Sequence, residues 1–180
     1  MKTYLALDVG GSSIKYALIQ EDSTILEKSS VPTPMDTMDH FVETIGTIYD
    51  QYKDRIEGMA ISMPGIINPE IGYAFTGGAL RYIDKMNIVD ILKERCPINI
   101  TIGNDAKCAA NAEIGYGNLQ DIQDGAVVIL GTGIGGCLIK DHKVHTGRHF
   151  SAGEFSFVKT NCLDGISWDY AWSTRNGIKG

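Results

Sequence analysis

Cysteine is scarce in this sequence, and its few copies are widely spaced. The chain has 180 residues and four cysteines, with no C-x-x-C pair among them: Cys96, Cys108, Cys137 and Cys162. Zinc sites and dithiol redox motifs need closely spaced ligands, so neither is expected from these cysteines alone. We expect them to act as small buried apolar residues.

Positive charge and long apolar runs are also lacking. The formal net charge is -6, from 16 Lys and Arg against 22 Asp and Glu. Binding nucleic acid through phosphate neutralisation needs a basic face, so no nucleic-acid partner is expected. No apolar run approaches the roughly 18 residues of a membrane span, and no basic region precedes an apolar stretch at the N-terminus. We therefore expect no membrane partner, no signal peptide and a cytoplasmic location.

The apolar periodicity predicts a mixed α/β chain. Short polar turns join the first three predicted strands and leave no room for a crossover helix, so these strands should be antiparallel. The predicted strands cover residues 4–9, 14–19, 24–31, 56–63, 98–102, 126–130 and 137–144. The predicted helices cover residues 38–52, 87–94 and 105–115, with Asp36 or Thr37 capping the first. The glycine-bearing segment 115–118 suggests a boundary between an N-terminal lobe, residues 1–116, and an incomplete second lobe, residues 117–180.

The first motif with chemical meaning is the turn from Asp8 to Ser13, between two strands. Its two glycines, Gly10 and Gly11, let backbone amides and the Ser12 hydroxyl face a phosphate. Asp8 at the strand end suits Mg²⁺, directly or through water, and Lys15 could add positive charge or simply face solvent. A glycine hairpin with a solvated Asp is the commoner fate of such a string. Against that, Asp8 interrupts an otherwise apolar strand.

The second motif, Gly131 to Gly136, has the spacing G-x-G-x-x-G after a predicted strand. A dinucleotide-binding turn must open a helix, but strand residues follow here, so a nicotinamide oxidoreductase is disfavoured. Four glycines in six residues exceed what a plain hairpin needs. We therefore expect a second phosphate loop. No G-x-x-x-x-G-K-[ST] occurs, which excludes a P-loop enzyme at the level of motifs.

The third motif is Asn104-Asp105, at the junction of a buried strand and a helix. A carboxylate at a helix start is stabilised by the dipole and can accept a proton from a substrate hydroxyl. An Asp in this position is about as often a structural cap. Asn104 offers an alternative cap, which would leave Asp105 free.

Together these motifs resemble the ROK family of sugar kinases and repressors, within the actin-like, hexokinase-like (ribonuclease H-like) ATPase fold. Five segments carry the resemblance in the family's order: 8–12, 63–72, 103–106, 131–136 and 151–154. The resemblance implies a phosphotransferase acting on a sugar hydroxyl, with Asp105 as the general base. It also implies sugar contacts from Asn104, Glu154 and the loop at Gly78. The ATP phosphates would lie against Gly10, Gly11, Ser12, Lys15, Thr132 and Gly133, with Mg²⁺ on Asp8.

Two departures from the family pattern qualify this expectation. Phe157 stands where zinc-binding members have a His that contacts both sugar and metal, and the stretch 159–170 contains only Cys162, so we expect no zinc. Family members usually continue well beyond Gly180, so we expect either a fragment or a truncated product. ATP and Mg²⁺ are the expected cofactors, sugar and ATP the expected small-molecule partners, and a homodimer is left open.

Three alternatives remain beside the hexose kinase. A β-glucoside kinase would use the apolar Phe157 face for a different acceptor. A non-catalytic sugar-binding or regulatory protein would bind sugar without nucleotide. A repressor would need a DNA-binding domain before the first motif, and the motif starts at Asp8, so this alternative is disfavoured.

Overall fold

The computed structural model describes residues 1–131, 133–160 and 165–175. The chain divides into two compact units, Met1–Asp105 and Ala106–Gly180. This division falls at the start of a helix, whereas the boundary at 116/117 remains a prediction about the functional lobes. Within the described ranges, no helix combines the length and the apolar character needed to cross a membrane.

The first unit contains eight strands and two helices. The strands are β1 Thr3–Val9, β2 Ser13–Gln20, β3 Ile25–Pro32, β4 Met59–Met63, β5 Ile67–Asn68, β6 Tyr73–Thr76, β7 Asp84–Asn87 and β8 Ile100–Asn104. The helices are α1 Met38–Tyr52 and α2 Ile88–Arg95. Five strands form one sheet in the order β3-β2-β1-β4-β8. Neighbouring strands among the first three are antiparallel, as the sequence predicts, and β1, β4 and β8 are parallel to one another.

Alternating apolar residues in these strands form the core of the first unit. Leu5, Leu7 and Val9 of β1 are buried, while Tyr4 before them and Asp8 between Leu7 and Val9 are exposed. Helix α1 adds an apolar stripe that includes Phe41 and Ile45, both fully buried. Burial of these side chains, rather than helix propensity alone, accounts for most of the stability of such a helix.

Both helices of the first unit begin at a capping side chain. The Thr37 hydroxyl accepts a hydrogen bond from the His40 N–H at 3.2 Å, which confirms the predicted cap of α1. The Asn87 side-chain oxygen accepts from the Asp90 N–H at 3.1 Å at the start of α2. Each cap satisfies one of the amides that a helix start leaves without an internal partner.

An ion network joins α1 to the end of α2. The Arg95 guanidinium donates to Glu43 at 3.1 and 3.2 Å and to Asp50 at 2.6 Å. Hydrogen bonds from Arg95, reinforced by its charge, lower the pKa of Glu43 and of Asp50, and the two carboxylates raise the pKa of Arg95. Both carboxylates therefore stay ionised at lower pH in the folded chain than in the unfolded one.

The segment from Ile67 to Asn87 differs from the prediction, which made it a loop followed directly by a helix. It forms a small antiparallel sheet in the order β5-β6-β7. Strands of two to four residues are too short to show a two-residue period, so no periodic signal marked them.

The second unit contains a helix that starts at the end of β8, a three-stranded sheet and a C-terminal helix. Its elements are α3 Asp105–Tyr116, β9 Gly125–Leu130, β10 Ile134–Lys140, β11 Lys143–His145, a 3-10 turn Phe155–Phe157 and α4 Trp168–Arg175. The sheet order is β11-β10-β9, antiparallel throughout. The predicted single strand 137–144 is two strands, because Asp141 and His142 both adopt positive φ and form a tight turn.

Candidate functional site

In the first unit, the parallel strands β1, β4 and β8 end at the same edge of the sheet. The register aligns Asp8 of β1 with Ser62 of β4, and Ser62 with Gly103 of β8. Two interstrand spacings separate Asp8 from Gly103, so their backbones lie about 10 Å apart. In open α/β sheets this edge is where ligands bind. The sequence-predicted residues Asp8 and Asp105 therefore belong to one edge.

The Asp8 side chain is accessible and has two polar neighbours. The Ser62 hydroxyl donates to Asp8 Oδ1 at 3.1 Å, and Lys15 Nζ lies 3.8 Å from Asp8 Oδ2. Lys15 faces Asp8 across the β1–β2 pair, and more than half of each side chain is exposed. A pair this exposed contributes little to stability, so the carboxylate remains open to a cation and the ammonium to a phosphate.

The glycine turn 10–12 is built as a tight connection between β1 and β2. The Gly10 N–H donates to the Ser13 carbonyl at 3.0 Å. A Cβ placed on Gly11 would lie 3.8 Å from the Cβ of Ala79, so the turn lies beside the loop at Gly78. Both segments were predicted to bind ligand, and the first unit brings them together.

The Asn104 side chain forms hydrogen bonds both to the candidate base, Asp105, and to the neighbouring loop at Gly65. Its side chain is buried, and its amide donates to Asp105 Oδ1 and to the Gly65 carbonyl, each at 3.0 Å. Gly78 packs against this loop, since a Cβ placed on Gly78 would lie 3.0 Å from Pro64 Cβ. The Asn104 amide therefore bonds to Asp105 and fixes one of its oxygens, while the capping of α3 by Asn104 stays a prediction.

The second glycine motif is shorter than the sequence suggested. Strand β10 begins at Ile134, so the turn ends at Gly133, and its Gly131 N–H donates to the Gly133 carbonyl at 2.9 Å. Thr132, predicted to bind phosphate, lies outside the described residues. Gly135 and Gly136 belong to the strand rather than to a phosphate loop.

Close packing accounts for Gly136. A Cβ there would meet the ring of Phe155 and, at 2.7 Å, the Val127 carbonyl. The glycine is thus explained by the ring that lies over it. At least one of the four glycines in the motif is therefore required by packing, so their number alone does not indicate a phosphate loop.

Helix α4 contacts the shortened turn, which no sequence signal indicated. Asp169 Oδ1 accepts from the Ile134 N–H at 2.8 Å, and Trp172 Nε1 donates to the Gly131 carbonyl at 2.9 Å. These two contacts fix the backbone on either side of the turn, at Gly131 and at Ile134.

Glu154 is held by a lysine that the sequence analysis did not single out. Lys107 Nζ donates to Glu154 Oε1 at 2.9 Å, and the side chains are only 8% and 15% exposed. Gly153, just before Glu154, has φ of +78°, and a Cβ on it would meet the backbone of Cys137 and Leu138. Glu154 is therefore fixed both by its backbone and by its charge partner.

Phe157 is 68% exposed in the 3-10 turn that follows Glu154. In the described part of the chain, no group of three or more His, Cys, Asp and Glu side chains could hold a metal ion. Cys162, part of the zinc argument, lies outside the described residues. Cys96 and Cys137 are buried as expected, whereas Cys108 is only partly buried. Burial raises the pKa of Cys96 to about 11 and also raises that of Cys137.

Comparison with known proteins decides the family. The model of the ROK family matches residues 4–165. The chain belongs to the ROK family. Its fold is the actin-like, hexokinase-like α/β fold, as the sequence predicted. A solved ROK family glucokinase from Streptomyces griseus, in complex with glucose and AMPPNP, superposes with a TM-score of 0.79 at 25% identity, covering 92% of this chain and 54% of that one.

Two curated relatives are similar over most of the chain. The beta-glucoside kinase of Listeria monocytogenes is 31% identical over 153 residues, which is 85% of this chain and 52% of that protein. The N-acetyl-D-glucosamine kinase of Haemophilus influenzae is 30% identical over 173 residues, 93% of this chain and 57% of that protein. The chain thus spans somewhat more than half the length of these relatives.

Proposed function

We propose that the protein transfers the terminal phosphoryl group of ATP to a sugar hydroxyl, with Asp105 as the general base. The observation that carries the proposal is the sheet edge of the first unit, where Asp105 follows β8 and Asp8 ends β1. Their strands are about 10 Å apart, which leaves room for a transferring phosphoryl group between a base and a phosphate-binding turn. The kinase names of the relatives support the same class of reaction.

In this proposal Asp105 accepts the proton of the attacking hydroxyl. The sugar oxygen then forms a bond to the γ-phosphorus while the bond to the ADP oxygen breaks. The helix start stabilises the Asp105 carboxylate, and the Asn104 amide fixes the orientation of that carboxylate through Oδ1. Catalysis of this kind depends chiefly on positioning and charge neutralisation.

We assign phosphate contacts of the nucleoside triphosphate to each of the two glycine turns. Gly10, Gly11 and Ser12 offer backbone and hydroxyl donors, Lys15 offers a cation, and Thr132 with Gly133 would receive phosphate in the second unit. Mg²⁺ commonly uses one or two carboxylates together with phosphate oxygens and water, and the accessible Asp8 carboxylate suits that role. When bound, the ion would neutralise charge on the phosphate oxygens.

For the sugar, Asn104, Glu154 and the loop at Gly78 are the proposed contacts. Carboxylate and amide oxygens can accept hydrogen bonds from hydroxyls, so these groups suit a polyhydroxylated ligand. The pairing of Glu154 with Lys107 supports this role, because it fixes a carboxylate that would otherwise rotate.

The test of the base assignment is ATP-dependent phosphorylation across a sugar panel with the Asp105→Asn variant. We expect kcat to fall roughly 10²- to 10⁴-fold, the usual contribution of a general base. Asp90→Asn is the matched control, because it makes the same change in the first turn of α2, at an exposed position. Full activity in Asp105→Asn would refute the base assignment, while inactivity of the unmodified protein on every sugar would refute the kinase proposal.

A β-glucoside is the second candidate acceptor, favoured by one observation. Phe157 presents an apolar ring to solvent three residues after Glu154, and such a ring can stack on an aglycone. The kinase from Listeria supports this acceptor by its name. Replacement of Phe157 by Ala should then lower kcat/KM for salicin more than for glucose. Equal losses on both acceptors would argue for a free hexose.

A further inference from the structure

The carbonyl groups of the first glycine turn are anchored by Thr33, a residue outside every motif. Thr33 is only 7% exposed and directly follows β3. Its hydroxyl donates to the Gly10 carbonyl at 2.7 Å, and its N–H donates to the Ser12 carbonyl at 3.1 Å. The side chain and the backbone N–H of the same residue therefore hold two carbonyls of the turn, those of Gly10 and Ser12.

The surrounding sequence explains why Thr33 can act as a rigid anchor. It lies between Pro32 and Pro34, and a residue before proline is confined to extended conformations. Neither proline has an N–H group, so Thr33 is the only one of the three whose backbone can donate to the turn. The backbone conformation of Thr33 is therefore restricted whether or not a ligand is bound.

Anchoring the carbonyls also directs the amides. A trans peptide is planar, so the Gly11 N–H points opposite to the Gly10 carbonyl that Thr33 holds. Within the described residues, neither the Gly11 nor the Ser12 N–H makes a hydrogen bond, and both residues are exposed. The Gly11 N–H is thus an unused donor that is directed away from Thr33.

We propose that Thr33 is a positioning residue for nucleotide phosphate, which aims the Gly11 amide by holding the carbonyl of the same peptide. The inference rests on the proposed function, since it assigns a cause to the shape of the phosphate-binding turn. Thr33 itself contacts neither nucleotide nor sugar in this scheme.

The test compares Thr33→Val, which keeps the shape and removes the hydroxyl, with Thr33→Ser, which keeps the hydroxyl. We expect Thr33→Val to raise KM for MgATP roughly three- to tenfold, the equivalent of one hydrogen bond, and to leave KM for sugar unchanged. Thr33→Ser should stay within about twofold of the unmodified protein. The Gly11 amide resonance of the ligand-free chain should shift in Thr33→Val and remain in place in Thr33→Ser.

Tyr82→Phe is the matched control. The Tyr82 hydroxyl donates to the Pro34 carbonyl at 2.8 Å, so its removal deletes a hydrogen bond to the adjacent residue without touching the turn. It should leave KM for MgATP unchanged. An unaltered KM in Thr33→Val, or an equal rise in Tyr82→Phe, would overturn the inference alone. Failure of the unmodified protein to bind MgATP would overturn the proposed function as well.

Discussion

Removal of the Lys107 ammonium should destabilise the second unit far more than loss of a surface charge. Lys107 Nζ and Glu154 Oε1 are 2.9 Å apart, and the two side chains are 8% and 15% exposed. At an effective dielectric constant of about 20, the attraction between unit charges at this distance is about 6 kcal/mol. Desolvation offsets part of it, but breaking such a pair strands a buried carboxylate and usually costs about 3–5 kcal/mol.

Lys107→Met tests this value, because methionine keeps much of the length and loses the charge. We expect about 3 kcal/mol of lost stability, at the lower end of the range because Glu154 retains some exposure. The urea midpoint should then fall by about 1–3 M. Both tryptophans of the chain, Trp168 and Trp172, lie in α4, so tryptophan fluorescence reports on the second unit.

A double-mutant cycle isolates the pair from other contacts of Lys107. Glu154→Gln and the double variant complete the cycle, and we expect the double variant to lose clearly less than the sum of the two single losses. Lys140→Met, at an exposed position of β10, is the control and should change stability by less than about 0.5 kcal/mol. Additive losses, or a loss below about 1 kcal/mol in Lys107→Met, would show that the pair behaves as a surface pair and refute the reasoning.

The remaining predictions concern a backbone position and an ion network. Gly153→Ala should lose more than about 1 kcal/mol in urea unfolding, because φ is +78° and the methyl group meets backbone. Gly115→Ala in α3 meets nothing within 4 Å and should gain up to about 1 kcal/mol, so equal effects would contradict this account. Arg95 lowers the pKa of Glu43 and Asp50 from their ordinary values of 4.5 and 3.8, so its contribution to stability is present above those values and is lost as pH falls through the lowered pKa values. Arg95→Gln should flatten this pH dependence of the urea midpoint, and an unchanged slope would refute the assignment.

Local sequence patterns predicted much of the first unit because its elements are long and periodic. The alternation in β1 and the apolar stripe of α1 each span two or more periods, and Thr37 caps α1 as expected. The short strands β5–β7 carry no such signal. Helix α4 was missed for a related reason, since its apolar residues do not fall on one face.

The sequence predicted site residues only where a chemically suitable side chain also lies at or just after the end of a strand. Asp8 and Asp105 each lie at or just after a strand end, and parallel strands bring their ends to one edge. Thr33 and Lys107 act on partners 23 and 47 residues away, and no local spacing reveals such pairs. Gly136 was assigned to a phosphate loop because its contact with Phe155 likewise depends on the folded structure.

Each unit contains a buried cysteine thiol, that of Cys96 or that of Cys137. Cys96 belongs to the first unit and Cys137 to the second, and neither can be alkylated while it is covered and its thiol is protonated. Alkylation for increasing times, followed by peptide mapping, would therefore measure how fast each buried cysteine becomes accessible, for both units in one sample. A ligand that stabilises one unit would slow modification of that unit's cysteine first, which would show to which unit the ligand binds.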